Sequence, residues 1–363
     1  MAYTTIDKPT DYFETLTWSG DNASPRNITG LDFTPDFVWI KEQNIAYSTG
    51  HRLYDSVRGV GANKELDTSS TQYEGQGNIE TYGYPNALIS GGYTVQTGTT
   101  DIDYVNKTGN TYVSWNWKAG TSFSNDASAT GIGTIDSTGS VSTTAGLSII
   151  SYTGNGTTNQ SVAHGLGATP KVIIIKNRTS SSYWCFTGPR FFSTSDTNML
   201  YMQNTAAEAD DTNVNGNTAP SSTVFGIGDY SAVNTSGNAH IAYCFTEIKG
   251  YSKFGYFQGN GNSNGPFVYL GFKPAWILFK NTTGNNWGIL NNKQDPFNIT
   301  QTRLHPNLDI ANNTGAGGVV DFLSNGFKCR NSDGLENGAA PIVYMAFAEN
   351  PFVTSTGIPA TAR

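Results

Sequence analysis

Charge is scarce in this chain: 13% of its 363 residues are Asp, Glu, Lys or Arg, against roughly 25% in ordinary soluble domains. The 21 basic residues are scattered singly and the formal net charge is −7. No basic stripe exists to neutralise a phosphate backbone, and no polybasic patch to hold anionic lipid, so nucleic acid and membrane surfaces are excluded as partners. Cysteine is equally sparse. Cys185, Cys244 and Cys329 lie far apart without CxxC spacing, which excludes a zinc or redox pair and reads as buried free thiols. No apolar run reaches the length of a membrane span, and Met1–Asp7 lacks the charged and apolar regions of a secretory leader, so synthesis in a cytoplasm is expected. P-loop, GxSxG, HExxH and EF-hand patterns are missing. The four histidines, His51, His164, His240 and His305, sit in separate segments. No metal site and no cofactor is expected from them.

What is abundant points one way. Glycine occurs 41 times, accompanied by many Asn, Thr and Ser, while 37% of residues are hydrophobic and 12% aromatic. Those polar residues make turns and decorate exposed strand faces but serve poorly inside helices. The composition reads all-β, with a core large enough for two or three units.

The chain also matches itself. A glycine turn, a proline and an apolar strand ending in lysine occur at Gly30–Lys41, Gly165–Lys176 and Gly271–Lys280, with Pro35, Pro170 and Pro274 at the strand entry, where a missing N–H does least harm. The strand centres, Phe37 to Ile40, Val172 to Ile175 and Trp276 to Phe279, are apolar on both alternating faces and demand cover on both sides, as in the inner strand of a sandwich. Upstream of each stands a strand running into a glycine turn (Leu16–Gly20, Ile150–Gly156, Gly255–Gly261). Downstream come a Gly/aromatic strand entry (Gly92-Tyr93, Phe225-Gly226, Gly326-Phe327) and a closing aromatic strand (Tyr112–Trp117, Ile241–Phe245, Val343–Phe347). Opening and closing strands are expected to pair.

This pattern predicts three tandem antiparallel β-sandwich modules of jelly-roll or lectin-like type, each about 100 residues long. Module 1 with an N-terminal arm covers 1–119, module 2 covers 149–250, and module 3 with a C-terminal tail covers 254–363. The excess between the first two proline marks is residues 120–148, rich in Gly, Ser, Thr and Ala, read as an extended linker that forms strand only if packed on a neighbour. Module 1 is then expected to stand off, while modules 2 and 3 form a close pair.

Chemistry-bearing candidates are few. Asp55, Glu65, Asp101 and Asp103, or Asp210 and Asp211, could supply the paired carboxylates of a glycan-cleaving enzyme, and Asp101-Ile102-Asp103 is the best local Ca²⁺ candidate; solvated loop charge is the preferred reading of both. Trp39, Trp115, Trp117 and Trp276 lie on repeated strands and read as core. Trp184 and Trp287 follow the lysine by seven or eight residues and should begin a return strand. They and Arg58, in the Arg58-Gly59 loop with Gly61 that the other modules do not reproduce, are the candidates for loops facing a ligand.

Several segments together resemble repeat-built virion structural proteins of tailed bacteriophages, marine ones especially. They are Met1–Pro9 with Asp11-Tyr12-Phe13, Leu53–Gly59, Ala163–Gly167, Asp321–Lys328 and Tyr344–Phe352. The resemblance covers nearly the whole chain. It implies a virion component of tail-fibre or appendage type and supplies no catalytic residues. The leading expectation is therefore a non-enzymatic, tail-associated surface protein that presents loops to a host-surface glycan or protein, contacts other virion structural proteins and assembles as a homo-oligomer, a trimer being favoured. A capsid decoration or head-fibre protein is the alternative. A polysaccharide depolymerase is the second.

Overall fold

Residues 3–44, 50–77, 80–100, 104–188, 198–314 and 319–359 are described in a computed structural model. Among them the helices are three α-turns of four residues each and one short 3-10 turn, and the rest of the regular structure is antiparallel strand. None of the helices is long and apolar enough to cross a membrane. The all-β architecture of packed sheets follows from the composition.

The first stretch of chain forms β1 (Phe13–Ser19), β2 (Arg26–Thr29), β3 (Phe37–Glu42), β4 (Arg52–Asp55), β5 (Leu66–Asp67), β6 (Tyr84–Ile89), β7 (Gly92–Gln96) and β8 (Thr111–Trp117). They make an inner sheet ordered β1-β8-β3-β4-β5 and an outer sheet β2-β7-β6. The middle stretch forms β9 (Thr121–Asn125), β10 (Ser137–Ser142), β11 (Leu147–Thr153), β12 (Gln160–Ala163), β13 (Val172–Asn177), β14 (Trp184–Thr187), β15 (Asn198–Tyr201), β16 (Ala209–Asp210), β17 (Val224–Ile227) and β18 (Ala239–Phe245). Here the inner sheet runs β16-β15-β14-β13-β18-β11-β10-β9 and the outer one β12-β17. The last stretch forms β19 (Ser252–Gln258), β20 (Phe267–Tyr269), β21 (Phe272–Asn281), β22 (Trp287–Asn291), β23 (Thr302–Arg303), β24 (Asn313–Thr314), β25 (Val320–Leu323), β26 (Gly326–Cys329) and β27 (Pro341–Pro351). Its inner sheet is β19-β27-β21-β22, its outer sheet β20-β26-β25, and β23 pairs with β24.

One order thus occurs three times: opening strand, closing strand, lysine-ended strand, return strand. Opening and closing strands pair in full register at β1·β8, β11·β18 and β19·β27. Between each inner and outer sheet lies an apolar core, with Val38, Ile40 and Tyr93 in the first, Ile173, Ile175 and Phe225 in the second, and Ile277, Phe279 and Phe327 in the third.

The opposite faces of the three inner sheets share a fourth core. Phe37 stacks on Tyr243 with ring centroids 4.5 Å apart, Phe13 on Phe347 at 5.1 Å, Trp117 meets Trp276 at 5.7 Å, and Phe186 meets Trp287 at 5.0 Å. Each pair joins two different stretches of chain. The first stretch therefore does not stand off. The 120–148 segment is no free linker either: β9 and β10 extend the middle inner sheet beyond β11, with Val141 buried. A Gly/Ser/Thr-rich strand lacks the apolar alternation that betrays strands in sequence, and it forms here because β11 offers it a backbone edge.

Backbone hydrogen bonds close the arrangement into a ring. Two residues past each lysine, a carbonyl accepts an N–H from an arm of another stretch: Glu74 N–H to Arg178 O at 3.2 Å, Glu208 N–H to Thr282 O at 2.7 Å, and Asn312 N–H to Gln43 O at 2.7 Å. First reaches second, second reaches third, third returns to first. The lysines beneath these arms, Lys41, Lys176 and Lys280, are buried. Lys176 Nζ donates to Ser182 O and across to Thr71 O, and Lys280 Nζ donates to Asn285 O. Burial pulls their ammonium groups down to about 8, 7 and 8.

A second device also appears three times. Asn106, Asn234 and Asn337, all buried, each clasp the turn that follows the opening strand. The Oδ1 accepts the backbone N–H of Asp21, Asn155 or Asn260. The Nδ2 donates to Ala23 O, Thr157 O or Asn262 O, at 2.7 to 2.8 Å. The residue after each asparagine crowds a glycine: a Cβ on Gly20, Gly154 or Gly259 would lie 2.0, 2.4 or 2.0 Å from the carbonyl oxygen of Lys107, Thr235 or Gly338. Only glycine allows that approach.

Candidate functional site

None of the three residues expected to face a ligand does so. Trp184 and Trp287 begin the return strands β14 and β22, as their position after the lysine indicates, but both are fully buried. Each lies opposite its lysine in register. Their indole N–H groups donate to Asp67 O at 2.8 Å and Tyr201 O at 2.9 Å, across the ring junctions. Arg58 is also internal. Its guanidinium pairs with Asp55 at 2.5 Å and donates to Leu53 O at 3.0 Å. Burial opposes its charge, yet Asp55 and Glu74 outweigh that and hold it protonated. Tyr243 O–H, from the middle inner sheet, completes the group by donating to Asp55 Oδ2 at 2.7 Å.

The carboxylate candidates among the described residues are each otherwise engaged or apart. Asp55 is occupied by Arg58. Glu65 is buried with one oxygen on Gly77 N–H, and burial lifts its carboxyl to about 7. Asp210 is exposed on β16, and Asp211 caps a helical turn through Asn213 N–H. Asp101 and Asp103 lie outside the described residues. Among the described residues no cluster of three or more His, Cys, Asp or Glu could hold a metal ion. Cys185, Cys244 and Cys329 are free and buried, as read from their spacing.

The loop that carries Arg58 joins β4 to β5. Its topological counterpart in the last stretch, residues 292–301 between β22 and β23, does open to solvent. With the β25–β26 turn it frames a cleft of about 510 Å³, walled by Lys273, Asp295, Phe297, Thr300, Ser324 and Asn325. Phe297 stands at its rim with 76% of its surface exposed, the most exposed large apolar side chain among the described residues. The loop is pinned from two sides. Asn298 Nδ2 donates to Phe322 O and its Oδ1 accepts Phe322 N–H, at 2.9 and 2.8 Å. The Asp295 carboxylate accepts the N–H groups of Gln301 and Thr302 and the Thr302 hydroxyl, at 2.8, 2.6 and 3.0 Å. Phe297 is thereby held outward on a fixed support, because the polar residues on either side are tied to β23 and β25.

Sequence reasoning missed Phe297. The available signal was Asp295-Pro296-Phe297-Asn298, a lone aromatic beside a proline in a polar loop, at the position aligned with the Arg58 loop. The electrostatics of the cleft are balanced: Lys273 pairs with Glu349 at 2.8 Å, and neighbouring Lys293 with Glu14 at 3.1 Å. Such a site can bind through an aromatic face and neutral hydrogen-bonding groups.

No curated protein matches this chain, and no solved structure does. One family model matches residues 8–351, from just ahead of β1 to the last residue of β27. The chain is therefore a member of the family described as domain of unknown function DUF7483, and the matched region takes in all three inner sheets.

Proposed function

We propose that the protein is a structural component of a phage virion, exposed on the particle and tail-associated, whose rigid β scaffold presents the 292–300 loop to a glycan or protein on the host surface. The observation that carries this reading is Phe297, held outward beside a preformed cleft and more exposed than any other large apolar side chain among the described residues. Exposed aromatics beside concave, mixed-polarity clefts mark recognition sites. The resemblance to phage appendage proteins supports the virion assignment, and other virion proteins and further copies of the chain are the partners that it implies. Antibody labelling of intact particles tests the placement. Label on tails is expected, and label confined to heads moves the protein to capsid decoration. Purified full-length protein should also compete with phage for adsorption to host cells, and the F297A variant should not.

A further inference from the structure

We infer that the ligand of the Phe297 cleft is a neutral, hydroxyl-rich sugar chain rather than an anionic polysaccharide or a charged peptide. The inference rests on the reading of this cleft as a recognition site. It follows from which groups in and beside the cleft are already engaged and which are free.

The charged groups are engaged. Lys273 Nζ faces the Glu349 carboxylate at 2.8 Å, and Asn292 Nδ2 donates to the same carboxylate at 3.0 Å. Lys293 is matched by Glu14, and Asp295 accepts three hydrogen bonds from its own loop. A ligand carboxylate or sulfate would have to displace Glu349 from Lys273 and then lie beside that carboxylate and Asp295. Like charges so placed are repulsive, and no unpaired cation lines the cleft to offset the cost. A ligand ammonium fares little better, because the Asp295 carboxylate already accepts two backbone N–H groups and the Thr302 hydroxyl and would have to share them.

Neutral groups remain. The Ser324 hydroxyl and the Asn325 side-chain amide line the cleft half-buried and make no hydrogen bond among the described residues, while the Asn325 backbone carbonyl is fixed by the N–H groups of Leu270 and Gly271. A hydroxyl and an amide each both donate and accept, and so match alcohol groups, which do the same. Beside them Phe297 exposes an apolar ring face, able to cover the C–H face of a pyranose. An apolar platform next to uncharged donor–acceptor groups suits a ring with one apolar face and an equatorial rim of hydroxyls. It suits an extended anionic chain poorly.

The test uses the full-length protein and titration calorimetry against two sets of probes. The neutral set is gluco-, manno- and galacto-oligosaccharides; the anionic set is oligouronates and dextran sulfate. At least one neutral probe should bind, with an affinity that changes less than about twofold between 50 mM and 500 mM salt, since screening acts on charge and not on stacking. F297A should weaken it by about tenfold or more, and S324A and N325A each by about fivefold, in keeping with the loss of an aromatic contact and of one hydrogen bond of ~1 kcal/mol per variant. Y183A, removing an exposed aromatic of the middle stretch, serves as the control and should leave binding unchanged. Binding only to the anionic probes with steep salt dependence overturns the inference while leaving host recognition standing, as does binding of host-surface protein with no neutral sugar bound. Wild-type protein that binds none of the probes and fails to compete for host adsorption overturns both.

Discussion

The indole N–H of Trp287 donates to the backbone carbonyl of Tyr201 at 2.9 Å, so a return strand of the last sheet is anchored on the middle one. Trp184 makes the same bond to Asp67 one junction earlier. The Trp184 bond is buried and the Trp287 bond partly so, and removing either donor leaves a carbonyl short of a partner. W184F and W287F should each lose about 1–3 kcal/mol of unfolding free energy, and W287A about 3–5 kcal/mol through the added cavity. Urea denaturation followed by far-UV circular dichroism measures both. A loss below ~0.5 kcal/mol for the alanine variant would refute the anchoring role.

The asparagine clasp gives a second prediction. N234A removes three donor contacts and two acceptor contacts from the turn and should cost about 2–4 kcal/mol. N106A and N337A should cost about the same, because the geometry repeats. A single sensitive position among the three would show that the repetition is not energetic.

Arg58 provides a third. R58A leaves the Asp55 carboxylate buried without its cation and should destabilise by about 3–5 kcal/mol. Adding D55N should recover part of that loss, since a neutral amide tolerates the site better. Neither change should alter ligand binding if the protein remains folded, because both side chains are internal.

The buried lysines make stability depend on pH in a defined direction. Their folded values lie near 8, 7 and 8, below the unfolded value of 10.5. Between those limits the unfolded chain holds more protons than the folded one, so stability rises with pH, at up to ~1.4 kcal/mol per pH unit for each lysine. The melting temperature should therefore climb from pH 7 to about pH 8.5, before ionisation of the cysteines and then the tyrosines in the unfolded chain, whose folded counterparts burial keeps protonated, opposes the rise. K176M should flatten part of that rise. A melting temperature that falls over this interval would contradict the burial of these groups.

The main strands and the pairing of opening with closing strand were legible from particular residues. Pro35, Pro170 and Pro274 mark the strand entries, the apolar tetrads behind them demand cover on both faces, and the closing aromatic strands are visible as such. What escaped was anything decided between distant stretches of chain. The burial of Trp184 and Trp287 depends on arms from other sheets, and that of Arg58 on Asp55 and Tyr243. Strands β9 and β10 owe their conformation to a backbone edge, which no side-chain pattern announces. The asparagine clasp was nearer to hand: Asn106, Asn234 and Asn337 each precede a closing strand by four or five residues, so superposing the copies on those strands reveals them. The cleft needed one further step, recognising that the loop bearing Arg58 and the loop bearing Phe297 occupy the same place in their sheets.

The three crossing arms carry a consequence for how such a chain can evolve. A linear stack of repeats has two open ends and can lengthen by adding copies, but here the third arm returns to the first sheet and leaves no vacant end. A fourth copy would have nowhere to dock, and a chain cut back to two would expose the aromatic face they share. Count is therefore fixed by closure, and variation is channelled into the loops at the periphery, which can change length and chemistry without disturbing the geometry that holds them.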